Sequence, residues 1–133
     1  MQPAAETSPA PEPPRAAQRV RKALVLLNEK AGSVGPKAGA DLVELLNASG
    51  VEQFTIVDAT RMARRHFQRA SQFDAIIVLG GDGTARAAAE LAPRDGPPLI
   101  LLPGGTLNIL PKALYGDLAW PEAITAVLER GVE

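Results

Sequence analysis

Apolar residues in this chain come in short continuous runs rather than in strict alternation. Residues 23–27 read Ala-Leu-Val-Leu-Leu, 75–79 Ala-Ile-Ile-Val-Leu and 99–102 Leu-Ile-Leu-Leu, with a fourth, mostly apolar run at 54–57. Such runs predict strands covered on both faces, as in a parallel sheet. Between them, apolar side chains recur at helical spacing. One helix is predicted over 37–48, with Leu42, Val43, Leu45 and Leu46 apolar and Gly50 as its stop. A second is predicted over 61–70, capped by Thr60, with Met62, Ala63, Phe67 and Ala70 inward and Arg61, Arg64, Arg65 and Arg69 outward. An alanine-rich helix over 85–92, a short one over 107–114 that Pro111 should kink or end, and a last one over 121–130 complete the series. Strand and helix alternate without internal repeat. The expected fold is therefore α/β: a parallel, Rossmann-like sheet with right-handed crossovers and helices on both faces.

Composition narrows the picture. Five of the twelve prolines lie in the first 14 residues. Residues 1–20 cannot bury enough apolar surface to offset chain entropy, so they are expected to be a disordered Pro/Ala-rich tail before a single domain over 21–133. That tail has no apolar stretch of the secretory-signal kind. No run approaches the ~20 residues of a membrane span, so the expected location is cytoplasmic. The net charge of −1 offers no global argument for nucleic-acid binding. Absence of cysteine excludes a disulfide scaffold, a thiol nucleophile and a thiolate metal site. His66 alone cannot form a histidine cluster, and it is read as structural, as Tyr115 and Trp120 are read as packing residues.

Ligands of open parallel sheets bind beyond the carboxyl ends of the strands. The third strand runs into Gly80-Gly81-Asp82-Gly83-Thr84. Glycines there permit positive φ and close approach of backbone to a ligand, and the helix behind them offers free N–H groups to an anion. Asp82 would repel a bare phosphate, but it suits a site where it binds Mg²⁺ or accepts a proton from an attacking hydroxyl. Thr84 can cap the helix and donate to a phosphate oxygen. The fourth strand runs into Pro103-Gly104-Gly105-Thr106-Leu107-Asn108, where Thr106 and Asn108 add neutral donors behind Gly105. At the end of the first strand, Asn28, Gly32 and Ser33 could orient a nucleotide, with Lys30 and Lys37 as weaker phosphate contacts. Neither a Walker motif nor a dinucleotide fingerprint is present.

Those three segments, in that order, resemble the nucleotide-binding lobe of the diacylglycerol kinase catalytic-domain family, which includes bacterial lipid kinases and sphingosine kinases. The resemblance covers about 21–133, nearly everything but the tail. Gly-Gly-Asp-Gly-Thr is shared with NAD kinases, and the Gly-Thr-x-Asn segment at 105–108 tilts toward lipid kinases. The resemblance implies a phosphofructokinase/NAD kinase-like lobe that binds ATP with Mg²⁺ and transfers the γ-phosphate to a diacylglycerol-like lipid hydroxyl at a membrane surface. It implies that Asn28, Gly32 and Ser33 lie near the nucleotide, that Gly80, Gly81, Gly83 and Thr84 cradle phosphates, and that Gly105, Thr106 and Asn108 complete the pocket. Asp82 matches the family's essential aspartate, as proton acceptor or as indirect metal ligand. The chain departs from the family at Glu29, where Pro is frequent, and at Arg86 and Ala87, where Asn and Glu are frequent. Family enzymes carry a second, β-rich lobe that would begin near Glu133. The chain, as a fragment or a short form, is accordingly expected to be incomplete alone, and its expected partners are a chain that supplies that lobe or further copies of itself in a homo-oligomer. A non-catalytic nucleotide-binding module is the rival reading, and an NAD kinase-like enzyme a more distant one.

Overall fold

The computed structural model describes residues 19–30, Val34, 37–103 and 119–131. Residues 1–18 of the expected tail, the short helix expected over 107–114 and Tyr115 lie outside the described residues, whereas Val20, at the end of that tail, is buried in the core. Four strands form one parallel sheet: β1 (Lys22–Leu27), β2 (Gln53–Asp58), β3 (Ala75–Gly80) and β4 (Leu99–Pro103), in the order β2-β1-β3-β4. Three helices accompany them: α1 (Ala38–Ala48), α2 (Asp82–Leu91) and α3 (Trp120–Arg130). None of the described helices is long and apolar enough to cross a membrane.

Period-two geometry explains why the strand runs are apolar throughout. Ala23, Val25, Leu27, Ala75, Ile77, Leu79, Ile100 and Leu102 face one side, where Leu42 and Leu46 of α1 and Trp120, Ala123, Ile124 and Leu128 of α3 cover them. Leu24, Leu26, Ile76 and Val78 face the other side, against Ala59, Phe67, Ala70 and Ala88. Both faces of β1 and β3 are therefore dry, and each fully buried Leu or Ile contributes about 1.5–3 kcal/mol; β2, expected to be covered in the same way, is instead the edge of the sheet, and most of its side chains are exposed. Trp120 is buried in the packing role expected of it. Asp74 fastens the amino ends of the central strands, its Oδ2 accepting from the backbone N–H groups of Arg21 and Lys22 at 2.8 and 2.9 Å.

Gly50 does stop α1. Its φ of +84° lets its N–H reach Asn47 O, while Val51 N–H reaches Leu46 O at 2.9 Å. Buried Val51 then packs near Leu46, the pairing of a Schellman C-terminus.

The helix predicted over 61–70 does not form. In its place are three 3₁₀ turns, at Ala59–Arg61, Arg64–Phe67 and Ala70–Gln72. Side chains compete here for the backbone donors a helix would use. Asp58, not Thr60, is the cap: its Oδ1 accepts from Thr60 N–H and from the Thr60 hydroxyl. Ala63 is fully extended, and its N–H donates to His66 Nδ1 at 3.0 Å, so His66 has the structural role foreseen for it. A continuous helix would also stack Arg61, Arg65 and Arg69 at four-residue spacing, a like-charge arrangement that opposes helix formation.

Two outcomes are expected. Replacing central Ile77 by Ala should cost about 2–5 kcal/mol and by Val about 0.5–1.5, read as a lowered denaturant midpoint at unchanged slope. The Thr60 hydroxyl, then the Thr60 N–H, hold the exposed Asp58 carboxyl below its ordinary pKa, with smaller help from Arg61 and Lys30. A lowered carboxylate pKa stabilises above the unfolded value and is lost as pH falls through the folded one. Thr60→Ala should raise the Asp58 pKa in a carboxyl NMR titration and move the onset of acid loosening of this turn upward.

Candidate functional site

The sheet order creates the site. From β1 the chain crosses over α1 to β2 on one side, then returns through residues 59–73 to β3 on the other. The connections leaving β1 and β3 therefore diverge, and a crevice opens beyond their carboxyl ends. Asn28 caps β1 there. Its N–H donates to Leu79 O of β3 at 2.8 Å. Its side-chain Oδ1 accepts from Lys30 N–H at 3.1 Å, and its Nδ2 donates to Thr84 Oγ1 at 3.4 Å across 56 residues of sequence. The end of the first strand and the third-strand loop, two of the segments singled out in the sequence, are thus joined side chain to side chain.

That contact revises the role expected of Thr84. The helix begins at Asp82 rather than at 85, with Gly81 as its cap residue, so Thr84 stands inside the first turn and its hydroxyl receives Asn28. The glycines also act differently than expected. Among the described glycines, positive φ occurs only at Gly50 and Gly131, and Gly81 has φ −84°. Space is the constraint instead. A Cβ on buried Gly80 would lie 2.9 Å from the Cβ, Cγ2 and Oγ1 of Thr84, so only glycine lets the Thr84 side chain lie over the strand end. Exposed Gly83 is the opposite case: a Cβ there would meet no atom within 4 Å. The backbone at Gly83 therefore stands open to an incoming group. The N–H groups of Gly83 and Thr84 lie in the first turn, where a helix offers no acceptor four residues back, and the amino end of α2 favours negative charge. Half-buried Asp82 lies in this same turn and is engaged by neighbouring groups.

Beside Asn28 a cleft of about 210 Å³ lies at the carboxyl ends of β1 and β2, lined by Leu27, Asn28, Glu29, Lys30, Ile56, Asp58 and Thr60. Lys30, foreseen as a phosphate contact, is on its wall, whereas exposed Lys37 precedes α1. Ile56, Asp58 and Thr60 are lining residues that the sequence reading did not include. The sequence carries a signal for them, since Asp-Ala-Thr directly follows the apolar run at 54–57, but helical spacing beyond it draws Thr60 to a helix cap. Gly32, Ser33, Gly105, Thr106 and Asn108 lie outside the described residues. Among the described residues, no three His, Cys, Asp or Glu side chains gather as a metal cluster. Asp82 fits a magnesium ion held mainly by phosphate oxygens and water, since such ions need only one or two protein carboxylates.

Known proteins share this fold. The diacylglycerol kinase catalytic domain matches residues 22–133. A protein of Streptococcus pneumoniae serotype 4 whose name places it among the lipid kinases is 36% identical over 106 residues, covering 71% of this chain and 34% of that protein. The crystal structure of a diacylglycerol kinase from Bacillus anthracis str. Sterne is similar with a TM-score of 0.65 at 27% identity, over 84% of this chain and 43% of that one. A second structure from the same strain, also named for a diacylglycerol kinase, gives 0.68 at 26% identity, over 87% and 44%. The chain thus spans about a third of the curated relative and under half of the solved structures. The phosphofructokinase/NAD kinase-like lobe expected from the sequence is the fold observed. Because the match takes in every strand, Asn28 and both glycine loops, this chain belongs to the diacylglycerol kinase catalytic-domain family.

Proposed function

We propose that this chain is the ATP-binding lobe of a lipid kinase that passes the γ-phosphate of ATP to the hydroxyl of a diacylglycerol-like lipid. The observation that carries the reading is the Asn28–Thr84 contact at the divergence of the β1 and β3 connections, between the β1–β2 cleft and the open backbone at Gly83. The cleft is large enough to take part of a nucleoside, with Asn28, Lys30, Asp58 and Thr60 as polar partners. Phosphates would lie toward α2, where the N–H groups of Gly83 and Thr84 and the helix dipole offset their charge. By the resemblance, Gly32, Ser33, Gly105, Thr106 and Asn108 would complete this cradle.

Phosphoryl transfer depends on positioning and on fixed charges more than on covalent chemistry. Bound magnesium would supply further neutralisation of the phosphates, with Asp82 as its carboxylate. Asp82 is otherwise the described group best placed to take the proton of the attacking lipid hydroxyl. Transfer also requires water to be kept from the reacting phosphate. One lobe leaves the cleft open on a side, so the reading includes a closing surface from further polypeptide, in the same protein or a partner.

A second reading has one observation of its own. Exposed Arg86 and half-buried Ala87 leave Asp82 as the sole carboxylate on the first two turns of α2. A nucleotide-binding module without transfer would need no more. Calorimetric titration with ADP and a non-hydrolysable ATP analogue, followed by a transfer assay on diacylglycerol micelles, separates the two. Binding with no transfer, even with a complementing lobe present, favours the module. No nucleotide binding at all sinks both.

Gly83→Ala should leave thermal stability unchanged or higher, because its Cβ meets nothing and alanine favours helix. It should weaken nucleotide binding by tenfold or more by titration; equal affinity would remove the phosphate role of this turn. Asp82→Asn should reduce transfer by at least about 10²-fold, the scale of a lost general base. If Asp82 takes the proton, the variant keeps its magnesium-dependent nucleotide affinity; if Asp82 holds the metal, that dependence disappears.

A further inference from the structure

We propose that the outward face of residues 59–73 is a docking surface for an anionic lipid bilayer. This segment contains Arg61, Arg64, Arg65 and Arg69 and no acidic residue, within a chain of net charge −1. All four arginines are exposed, while Ala59, Phe67 and Ala70 among them are buried against the sheet. The segment is thus anchored by its apolar residues and turns its cations to solvent. Asp58 and His66 hold the turns that do this. The strip also begins at the candidate site, since Asp58 and Thr60 line the cleft and Arg61 follows directly.

A bilayer fits this surface better than a nucleic acid does. Single strands are held by exposed aromatic faces as well as by cations. Here Phe67 is buried, Phe73 half-buried, and Ile56 is the sole exposed large hydrophobic side chain among the described residues. An acidic leaflet needs charge alone, and each arginine near it strengthens binding about fivefold. This surface deepens the lipid-kinase reading and rests on it for its purpose: a substrate hydroxyl in a membrane has to be reached from the membrane surface.

The test is co-sedimentation of the full chain, without nucleotide, on vesicles of phosphatidylcholine alone and with phosphatidylserine. Binding is expected only with phosphatidylserine, and it should fade as salt is raised. The pair Arg64→Gln and Arg65→Gln should weaken it about 25-fold, at fivefold each. Unchanged ADP affinity and thermal midpoint would show that this variant is folded. The control pair Arg21→Gln and Lys22→Gln, at the amino end of β1, should bind as wild type. Equal losses in both pairs, no vesicle binding by the wild type, or tighter binding to an RNA homopolymer than to the acidic vesicles would each overturn the assignment. Failure on vesicles with ADP binding intact sinks this surface alone; failure of ADP binding with vesicle binding intact sinks the kinase reading instead.

Discussion

Pairing of β1 with β3 is the constraint on which the molecule depends. These strands are far apart in sequence, yet Ala23 to Leu27 align residue by residue with Ala75 to Leu79. Both are buried on both faces, so a slip of one residue would exchange the two cores completely. The register therefore has little freedom. It brings the carboxyl ends of the two strands to one level, where the Asn28 N–H meets Leu79 O. The candidate site follows from topology: chain leaving these neighbouring ends departs in opposite directions, and the space between is bridged by the Asn28 and Thr84 side chains.

Glycine placement then refines the crevice by volume rather than by unusual dihedral angles. Gly80 ends a fully buried strand, and its missing side chain is filled by Thr84. That positions the Thr84 hydroxyl against the Asn28 amide and closes the floor of the site. One turn further along the surface, Gly83 leaves backbone uncovered. Two glycines three residues apart thus have opposite physical purposes. One admits a protein side chain and the other keeps protein away.

Edge strand β2 ties this site to the outer surface. Its side chains are mostly exposed, its carboxyl end supplies Ile56 and Asp58 to the cleft, and its continuation is the arginine-rich segment. Cleft wall and cationic strip are consecutive in sequence and share the Asp58 turn. A change in that turn would reach both. The coupling is a consequence of chain continuity and requires no long-range network.

Much of this architecture was legible in the chain itself. Continuous apolar runs at 23–27, 75–79 and 99–102 can be stable only when both faces are covered, so parallel strands under helices were determined by composition at short range. The Gly50 stop and the strand ends at Asn28 and Gly80 that meet in the candidate site were legible for the same reason, because they depend on local residue type. Tertiary structure decided the rest. Which strands are neighbours, and hence that Asn28 meets Thr84, depends on register across dozens of residues. The turns of 59–73 replaced a helix because Asp58 and His66 captured backbone donors, a competition that periodicity does not register. Whether a glycine is present for its φ or for its volume was likewise settled only by the atoms around it, since the residue type is the same in both cases.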